Sequence, residues 1–311
     1  MANTKRFQKL GIALEETAGT PVAPQHFIPF LSCELAEKQE IIADNAARGT
    51  RMGEGGNAVI GKKSGEGKIE VVLDPETFPY WAALAMGSIA SEVSDDNYKH
   101  TITLKSDNDP LTCTIYRDRV VDEIQCANAV VNSMEIAFSD DVAKVSVDIK
   151  SKFPTSQSRS GSVADLKLFT FKNAEVEIGE STIKVNEFNL KIENDAELIY
   201  APGDNDVDRI VFKTPKITGS FKLLFEDETQ KDAFVGLTKQ AMTITFTGED
   251  DGKIVITIPQ FRVENWGEDG GIDDVGREAI EFTVEDYDES GEEMAMSIEV
   301  TNSVPEYLGE S

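Results

Sequence analysis

A stretch of eleven residues occurs twice in the chain, and this repeat constrains the fold more than any other feature. Residues 67–77 read Gly-Lys-Ile-Glu-Val-Val-Leu-Asp-Pro-Glu-Thr, and residues 219–229 read Gly-Ser-Phe-Lys-Leu-Leu-Phe-Glu-Asp-Glu-Thr, at a constant offset of 152 positions. Every second residue between the glycine and the acidic corner is large and apolar in both copies. That period is typical of a β-strand with one buried face. We therefore predict a strand at the start of each copy.

A short helical pattern follows the acidic corner of each copy. The apolar spacing of Trp81 and Leu84 in the first copy, and of Phe234 and Leu237 in the second, predicts a helix there. The strand, corner and helix thus form one unit that the chain contains twice.

The residues around these helices fit the positions that helix ends require. Thr77 and Thr229 are the expected N-caps, because a threonine hydroxyl can accept a bond from a free N–H of the first turn. Pro79 is tolerated in the first turn, where its missing N–H has no partner to lose. Gly87 is expected to end the first helix.

Alternating segments separated by turn residues follow the repeat in both halves and predict antiparallel hairpins. Between the halves, the serine-rich residues 154–163 are the predicted linker. We predict a mainly β protein with two tandem antiparallel β-sandwich or barrel domains, residues 1–155 and 156–311, each with a short flanking helix. In chain order, the matched segments are 101–104 with 243–246, 112–116 with 254–258, 133–138 with 280–284 and 144–149 with 294–300, and the second domain opens with strands at 168–171, 176–178 and 188–192.

The segment before the first predicted strand is rich in proline. Pro21, Pro24 and Pro29 disfavour a helix or a central strand between residues 7 and 31. We therefore predict an extended arm or edge that lies against another surface. Phe27 and Phe30, in the apolar run that ends this segment, are candidate contacts with another subunit.

Residues 41–67 contain seven glycines and few apolar side chains. This composition predicts a long loop, because the segment cannot bury enough apolar surface to fold by itself. Its basic residues stand out in an acidic chain and suit an acidic surface on a neighbouring subunit. The candidate contacts between subunits or rings in this loop are Arg48, Arg51, Lys62 and Lys63.

The net charge of −27 excludes several classes of function. From Glu249 to the end, 19 acidic residues stand against 3 basic ones. Such a charge repels nucleic-acid phosphate, so ordinary DNA or RNA binding is excluded. No apolar run approaches the roughly 20 residues that cross a bilayer, and no signal-peptide pattern precedes Phe7, so we expect a protein made in the cytoplasm and not bound to a membrane.

The residues that could carry chemistry do not form a catalytic or metal site in the sequence. Three cysteines without metal-ligand spacing are predicted to be reduced thiols. The two histidines accompany no hydrolase or nucleotide-binding motif. The acidic run from Asp204 to Asp208 resembles the start of a calcium loop, but Arg209 and Pro215 replace the required glycine and glutamate. We predict no catalytic residue, no metal and no cofactor; a surface cation at the acidic run stays open.

Carboxylates recur at the positions of the predicted strands that alternate with buried residues. Glu135, for example, lies between the apolar residues Ile136 and Met134. An ordinary solvent-exposed sheet face explains any single case, whereas repetition over several strands favours an acidic surface. The candidates for this surface are Glu135, Asp148, Glu187, Glu193, Glu281 and Glu285.

Several of these features together resemble the major tail tube proteins of long-tailed, siphovirus-like bacteriophages. They are the segment Gly-Ile-Ala-Leu-Glu-Glu-Thr-Ala-Gly-Thr-Pro-Val-Ala-Pro at 11–24, Phe-Ile-Pro-Phe at 27–30, Arg-Gly-Thr-Arg at 48–51 and the strand, corner and helix from Gly67. The resemblance rests on their order along most of the chain, since each motif is short.

The resemblance implies a structural virion protein whose inner sheets join in rings that stack as a tail tube. Two domains in one chain imply a homotrimer with pseudo-six-fold symmetry, with a homohexamer as the alternative. The carboxylates above would then face a lumen through which viral DNA passes without specific binding. The tape-measure, tail-terminator and tail-tip proteins are the further partners implied. The alternative outside this family is a secreted or surface two-domain β-sandwich binding module.

Overall fold

The computed structural model describes residues 5–43, 58–94, 97–105, 107–139, 142–163, 165, 167–179, 181–248, 252–271, 274–285 and 296–307. Antiparallel strands dominate this part of the chain, as the sequence predicts. In the first half, a 3₁₀ turn at Lys5–Phe7 precedes β1 (Lys9–Leu14), β2 (His26–Ile28), β3 (Ser32–Cys33), β4 (Ala36–Ala43), β5 (Ala58–Val72), α1 (Phe78–Met86), β6 (Ala90–Ser94), β7 (Asn97–Thr103), β8 (Cys113–Asp118), β9 (Glu123–Phe138), β10 (Lys144–Ser151) and β11 (Thr155–Ser156).

The second half opens in the same way, with a 3₁₀ turn at Phe171–Asn173 before its first strand. Its elements are β12 (Ala174–Ile178), β13 (Ser181–Ile183), β14 (Val185–Glu193), β15 (Glu197–Tyr200), β16 (Val207–Val211), β17 (Lys216–Leu224), α2 (Thr229–Gly236), β18 (Lys239–Thr247), β19 (Lys253–Asp269), β20 (Arg277–Val284) and β21 (Ser297–Asn302).

The two halves share one order of paired strands. In the first half, β4 pairs with β5, and the sheet continues through β10, β9, β8, β1 and β2. In the second half, β14 pairs with β17, and the sheet continues through β20, β19, β18, β12 and β13. The chain also visits these strands in the same sequence, and each copy of the repeat supplies the strand before the helix. This correspondence lets each position in one half be compared with its counterpart in the other.

The register irregularities support this correspondence. The pairing of β8 with β9 shifts between Cys113 and Ile115, and that of β18 with β19 shifts between Gln240 and Met242. Because a bulge changes how many residues oppose each other, two bulges at one place in the ladder fix the alignment of the halves. Leu10 and Ile12 of β1 correspond in this way to Val176 and Ile178 of β12.

This order corrects our strand-by-strand matching. The strand at 112–116 corresponds to the one at 243–246, so the matching in chain order was wrong by one strand. The cause is an insertion, β6 and β7, between α1 and β8, whereas α2 leads directly to β18. The inserted β7 pairs instead with β21 at the end of the chain.

Two further predictions about local structure are wrong. Residues 168–171 do not form a strand: Thr170 makes only an isolated bridge with Val142, and a 3₁₀ turn begins at Phe171. The first part of the segment 7–31 is not an arm: β1 lies between β2 and β8 with its apolar residues buried. The prolines do not prevent this strand because all of them come after Leu14.

The predicted loop at 41–67 is also partly wrong. Residues 41–43 end β4 and residues 58–67 belong to β5, and the two strands form a long hairpin. Glycines at 61, 65 and 67 alternate with longer side chains in β5, so a low apolar content was mistaken for a loop. The middle of the predicted loop, with Arg48 and Arg51, lies outside the described residues.

The helices follow the repeat, but their caps differ from prediction. Thr77 is the N-cap of α1, although its hydroxyl makes no capping bond, and Gly87 ends the helix with a φ of 92°. The N-cap of α2 is Glu228, one residue before the predicted Thr229. All nine residues of α1 are buried, whereas α2 buries only Gln230 and Ala233.

Candidate assembly surfaces

The six predicted carboxylates lie on one face of a continuous sheet. The strands β5, β10, β9, β14, β17 and β20 pair in that order, and along β10 buried and half-buried residues alternate strictly. We call the side opposite the core the polar face. One row across it reads Glu70, Ser146, Glu135, Lys191, Thr218 and Thr283.

These carboxylates alternate with basic and amide side chains. Glu187 binds Lys222 at 3.1 Å, and hydrogen bonds from Lys222 to Asp269 and Glu187 raise the pKa of this lysine. This face also carries Glu66, Glu70 and Asp269, and its basic residues are nearly as numerous as its carboxylates, so its net charge is small. The other five predicted carboxylates contact Asn189 (Glu135), Asn132 (Asp148, 2.8 Å), Lys191 (Glu193), Asn265 (Glu281, 3.4 Å) and Arg262 (Glu285, 2.8 Å). The basic residues are Lys68, Lys144, Lys150, Lys191, Lys216, Lys222, Arg262 and Arg277.

Within the chain, one pair of strands joins the sheets of the two halves. Residues 188–193 of β14 pair with residues 133–138 of β9. Phe188 is opposite Phe138, and their rings stack with centroids 5.2 Å apart. This junction therefore combines a backbone ladder with apolar packing in the shared core.

A second contact between the halves involves the residues that open the second half. Thr170 forms a β-bridge with Val142, and the Ala143 N–H donates to the Phe169 carbonyl at 3.1 Å. The same segment also contacts the corner of the first repeat. The buried Asp74 carboxylate accepts the Lys167 N–H at 2.6 Å, together with the N–H groups of Glu76 and Thr77. Burial raises the pKa of Asp74, although these backbone bonds favour its charged form.

The end of the chain closes over the same corner. The Asn302 amide donates to the Pro75 carbonyl at 2.6 Å, and the Tyr307 hydroxyl donates to the Glu76 carbonyl at 2.7 Å. His100 is fully buried beside them, with Nε2 3.0 Å from the Asn302 amide oxygen, and burial lowers its pKa. Sequence reasoning missed both of these contacts, because neither segment carries a motif.

The second half has a free counterpart of the joined edge of β9. Met134 of β9 is opposite Val147, and Trp266 of β19 is opposite Ile280, in the same row of each half. Residues 265–269 therefore correspond to the edge that β14 covers. Within the described part of the chain, nothing pairs with the outer edge of 265–269.

The first half has a free counterpart of β14. The Glu34 N–H donates to Lys68 of β5 at 2.7 Å, whereas the Leu35 carbonyl points away and accepts a bond from Arg117. By alternation, the N–H of Glu37 also points away from β5. Glu37 is exposed, and among the described residues no strand pairs with this side of β4.

An exposed apolar surface surrounds α2. We call it the α2 patch; it consists of Phe225, Val235, Leu237 and Val275, which are 36%, 73%, 65% and 61% exposed. Their counterparts in the first half are buried or half-buried, and α1 there packs against β9 and the inserted β7. The match is direct at the corner, where Leu73 N–H donates to Ala143 and Phe225 N–H donates to Gly276.

The hairpin of β4 and β5 presents a second exposed apolar surface, the hairpin tip, formed by Ile41, Ile42, Val59 and Ile60. Nearer its base, Lys62 lies over the Tyr200 ring at 4.9 Å and Lys63 lies over the Phe153 ring at 5.3 Å. Both predicted contact lysines thus face aromatic rings of their own chain.

The two predicted contact phenylalanines belong to the chain's own packing. Phe27 is buried and its ring meets that of Tyr116 edge to face, while Phe30 packs against the core. Phe27 offers little surface to another subunit, whereas a contact of the half-buried Phe30 with another subunit stays a prediction.

The described residues contain no group of three or more side chains that could hold a metal ion. The three cysteines are buried and unpaired there, and burial raises the pKa of Cys126 to about 12. No helix in the described ranges is long and apolar enough to cross a bilayer.

Comparison with known proteins gives one family. The model of a family described as phage tail tube protein matches residues 8–300. A search of curated proteins finds no match.

Proposed function

The chain belongs to the phage tail tube protein family, and on that premise we propose that it assembles with copies of itself into stacked rings. The rings form a channel through which DNA passes during ejection. The role is structural and involves no catalysis, cofactor or metal. The tape-measure, tail-terminator and tail-tip proteins are the proposed further partners in the virion tail.

The observation that carries this proposal is the junction between β9 and β14. One copy of the chain contains this junction once, and it also has a free counterpart of each partner strand, at 265–269 and 34–38. If the first edge of one copy pairs with the second edge of the next, both of these free edges are covered. Head-to-tail contacts of this kind close into a ring when the rotation per subunit allows it.

The repeat sets the proposed stoichiometry. The two predicted units, residues 1–155 and 156–311, contain strands that pair in the same order, so three chains would supply six units around one axis. A homohexamer of the whole chain, with twelve units, is the competing arrangement. The duplication favours the trimer because a head-to-tail contact then repeats the intrachain junction at each step.

The polar face of the sheet is the proposed wall of the channel. Lys191, Lys222 and Arg262 on this face are paired with carboxylates, and acidic and basic side chains nearly balance there, whereas the strong excess of acid lies elsewhere in the chain. DNA would therefore be repelled only weakly by this wall. The proposed lumen therefore exposes carboxylates, but its net negative charge is small.

Electron microscopy of the purified protein tests the proposal. We expect rings or tubes with a central channel, and class averages with three-fold symmetry and six similar units. A protein that stays monomeric at high concentration would instead support the secreted binding module and overturn the proposal.

A substitution at the free edge of β4 gives a sharper test. Glu37→Pro removes an outward N–H from an exposed edge, where proline costs a folded chain little. We expect this variant to remain folded by circular dichroism but to form no rings. Glu37→Ala, which keeps the N–H and also loses the bond to Arg119, is the matched control and should assemble. Equal assembly of the two variants would contradict the proposed edge.

A further inference from the structure

We propose that the α2 patch is the docking surface for the N-terminal segment of a second copy of this chain, residues 1–7. The inference rests on the proposed assembly and adds a contact that the pairing of strand edges does not require. Its basis is the way the two halves meet inside one chain.

Inside the chain, the segment that precedes β12 covers the first half. Thr170 bridges Val142 and Phe169 accepts the N–H of Ala143, which is fully buried. The same segment reaches the corner of the first repeat at Asp74. The residues that precede the first strand of the second half thus cover part of the first half.

The surface that would receive such a segment is open in the second half. Val275 and Gly276 are the counterparts of Val142 and Ala143. The Gly276 carbonyl accepts the N–H at the end of the second repeated strand, as the Ala143 carbonyl accepts the N–H at the end of the first. Val275 is 61% exposed, and a side chain at Gly276 would meet no atom within 4 Å. Phe225 next to them is also partly exposed.

The segment that would fill it lies at the start of the first half. Because Leu10 and Ile12 correspond to Val176 and Ile178, residue 4 corresponds to Thr170 and the turn Lys5–Phe7 corresponds to Phe171–Asn173. Phe7 is 69% exposed in the single chain. The proposed occupant therefore has the same position before the first strand of its half as the segment that makes the intrachain contact.

Charge favours the same pairing. Residues 1–9 contain three basic residues and no acidic one, whereas the α2 patch is bordered by carboxylates. Opposite charges at the rim of a contact increase the rate of association and select the orientation. The bordering carboxylates are Glu226, Asp227, Glu228, Asp232 and Asp274.

Engineered cysteines test the contact in the full chain. Residues opposite each other in a β-bridge have Cα atoms about 4.5–5.5 Å apart, within reach of a disulfide. We expect Thr4→Cys combined with Val275→Cys to give covalent oligomers on oxidation of assembled rings. Thr4→Cys combined with Val121→Cys, at a valine 85% exposed in the first half, is the control and should give few. The native cysteines are buried and should not interfere.

A deletion gives a second, independent readout. Removing residues 1–7 should raise the concentration needed for ring formation by roughly tenfold, as expected when one or two apolar side chains lose their burial. Val275→Asp should act in the same direction, and Val121→Asp should not. Rings that form normally without residues 1–7, and without the disulfide, would overturn the contact while the proposed function stands. A chain that forms no rings under any condition would overturn both.

Discussion

At the scale of single residues, one position in the repeat has different surroundings in the two halves. Asp74 and Glu226 are counterparts at the corner after the repeated strand. Asp74 is 1% exposed and accepts three backbone N–H groups, one of them from the second half. Glu226 is exposed. The sequence predicts the acidic corner but cannot show this difference, because the residues that cover Asp74 are about 90 positions away.

This difference makes a paired substitution informative. Asp74→Ala should lower the free energy of unfolding by about 2–4 kcal/mol, because it leaves three buried N–H groups without their charged acceptor. Glu226→Ala should change the stability of the unassembled chain by less than about 0.5 kcal/mol, as at most surface sites. Chemical denaturation of both variants measures the difference. Equal losses would mean that the two corners are equivalent in the free chain.

At the scale of elements, alternation in the sequence identifies strands well but does not identify their partners. The segments at 133–138 and 144–149 are strands with the predicted buried faces, since Met134, Ile136 and Phe138 are nearly inaccessible. Alternation of apolar residues shows which face of a strand is buried. Which strand pairs with it depends on how distant parts of the chain fold. The inserted β7 therefore displaced the whole strand matching. In β5 the pattern itself was hidden, because glycines occupy alternate positions.

The hairpin tip is an element whose role can be tested separately from ring closure. It extends beyond the sheet and exposes four aliphatic side chains, so we predict that it contacts the next ring. Val59→Asp should leave rings intact but stop them from stacking, because a charge replaces a side chain that is 61% exposed and buried only on assembly. Electron microscopy distinguishes single rings from tubes. Val93→Asp in β6, at a valine 76% exposed, is the control, and a similar loss of tubes in both variants would refute a specific role for the tip.

At the scale of the whole molecule, the junction inside the chain differs in chemistry from the one proposed between chains. Phe138 and Phe188 stack at the intrachain junction, but their counterparts at the free edges are Gly270 and Cys33. The proposed contact between chains therefore has less apolar packing than the contact between halves. We expect such a chain to fold completely before it assembles, and its assembly to be reversible and to depend on concentration.

The strength of the intrachain junction leads to a prediction about unfolding. The core cluster includes residues of both halves, and the sheet is continuous from β9 to β14. We therefore expect the two halves to unfold together, in one calorimetric transition of the unassembled chain. Phe138→Ala should lower the stability of that single transition by about 3–5 kcal/mol, the usual loss for a buried phenylalanine. If the halves were independent domains, the substitution would split the transition or leave one part of it unchanged, and the argument that one chain supplies a rigid pair of units to the ring would fail.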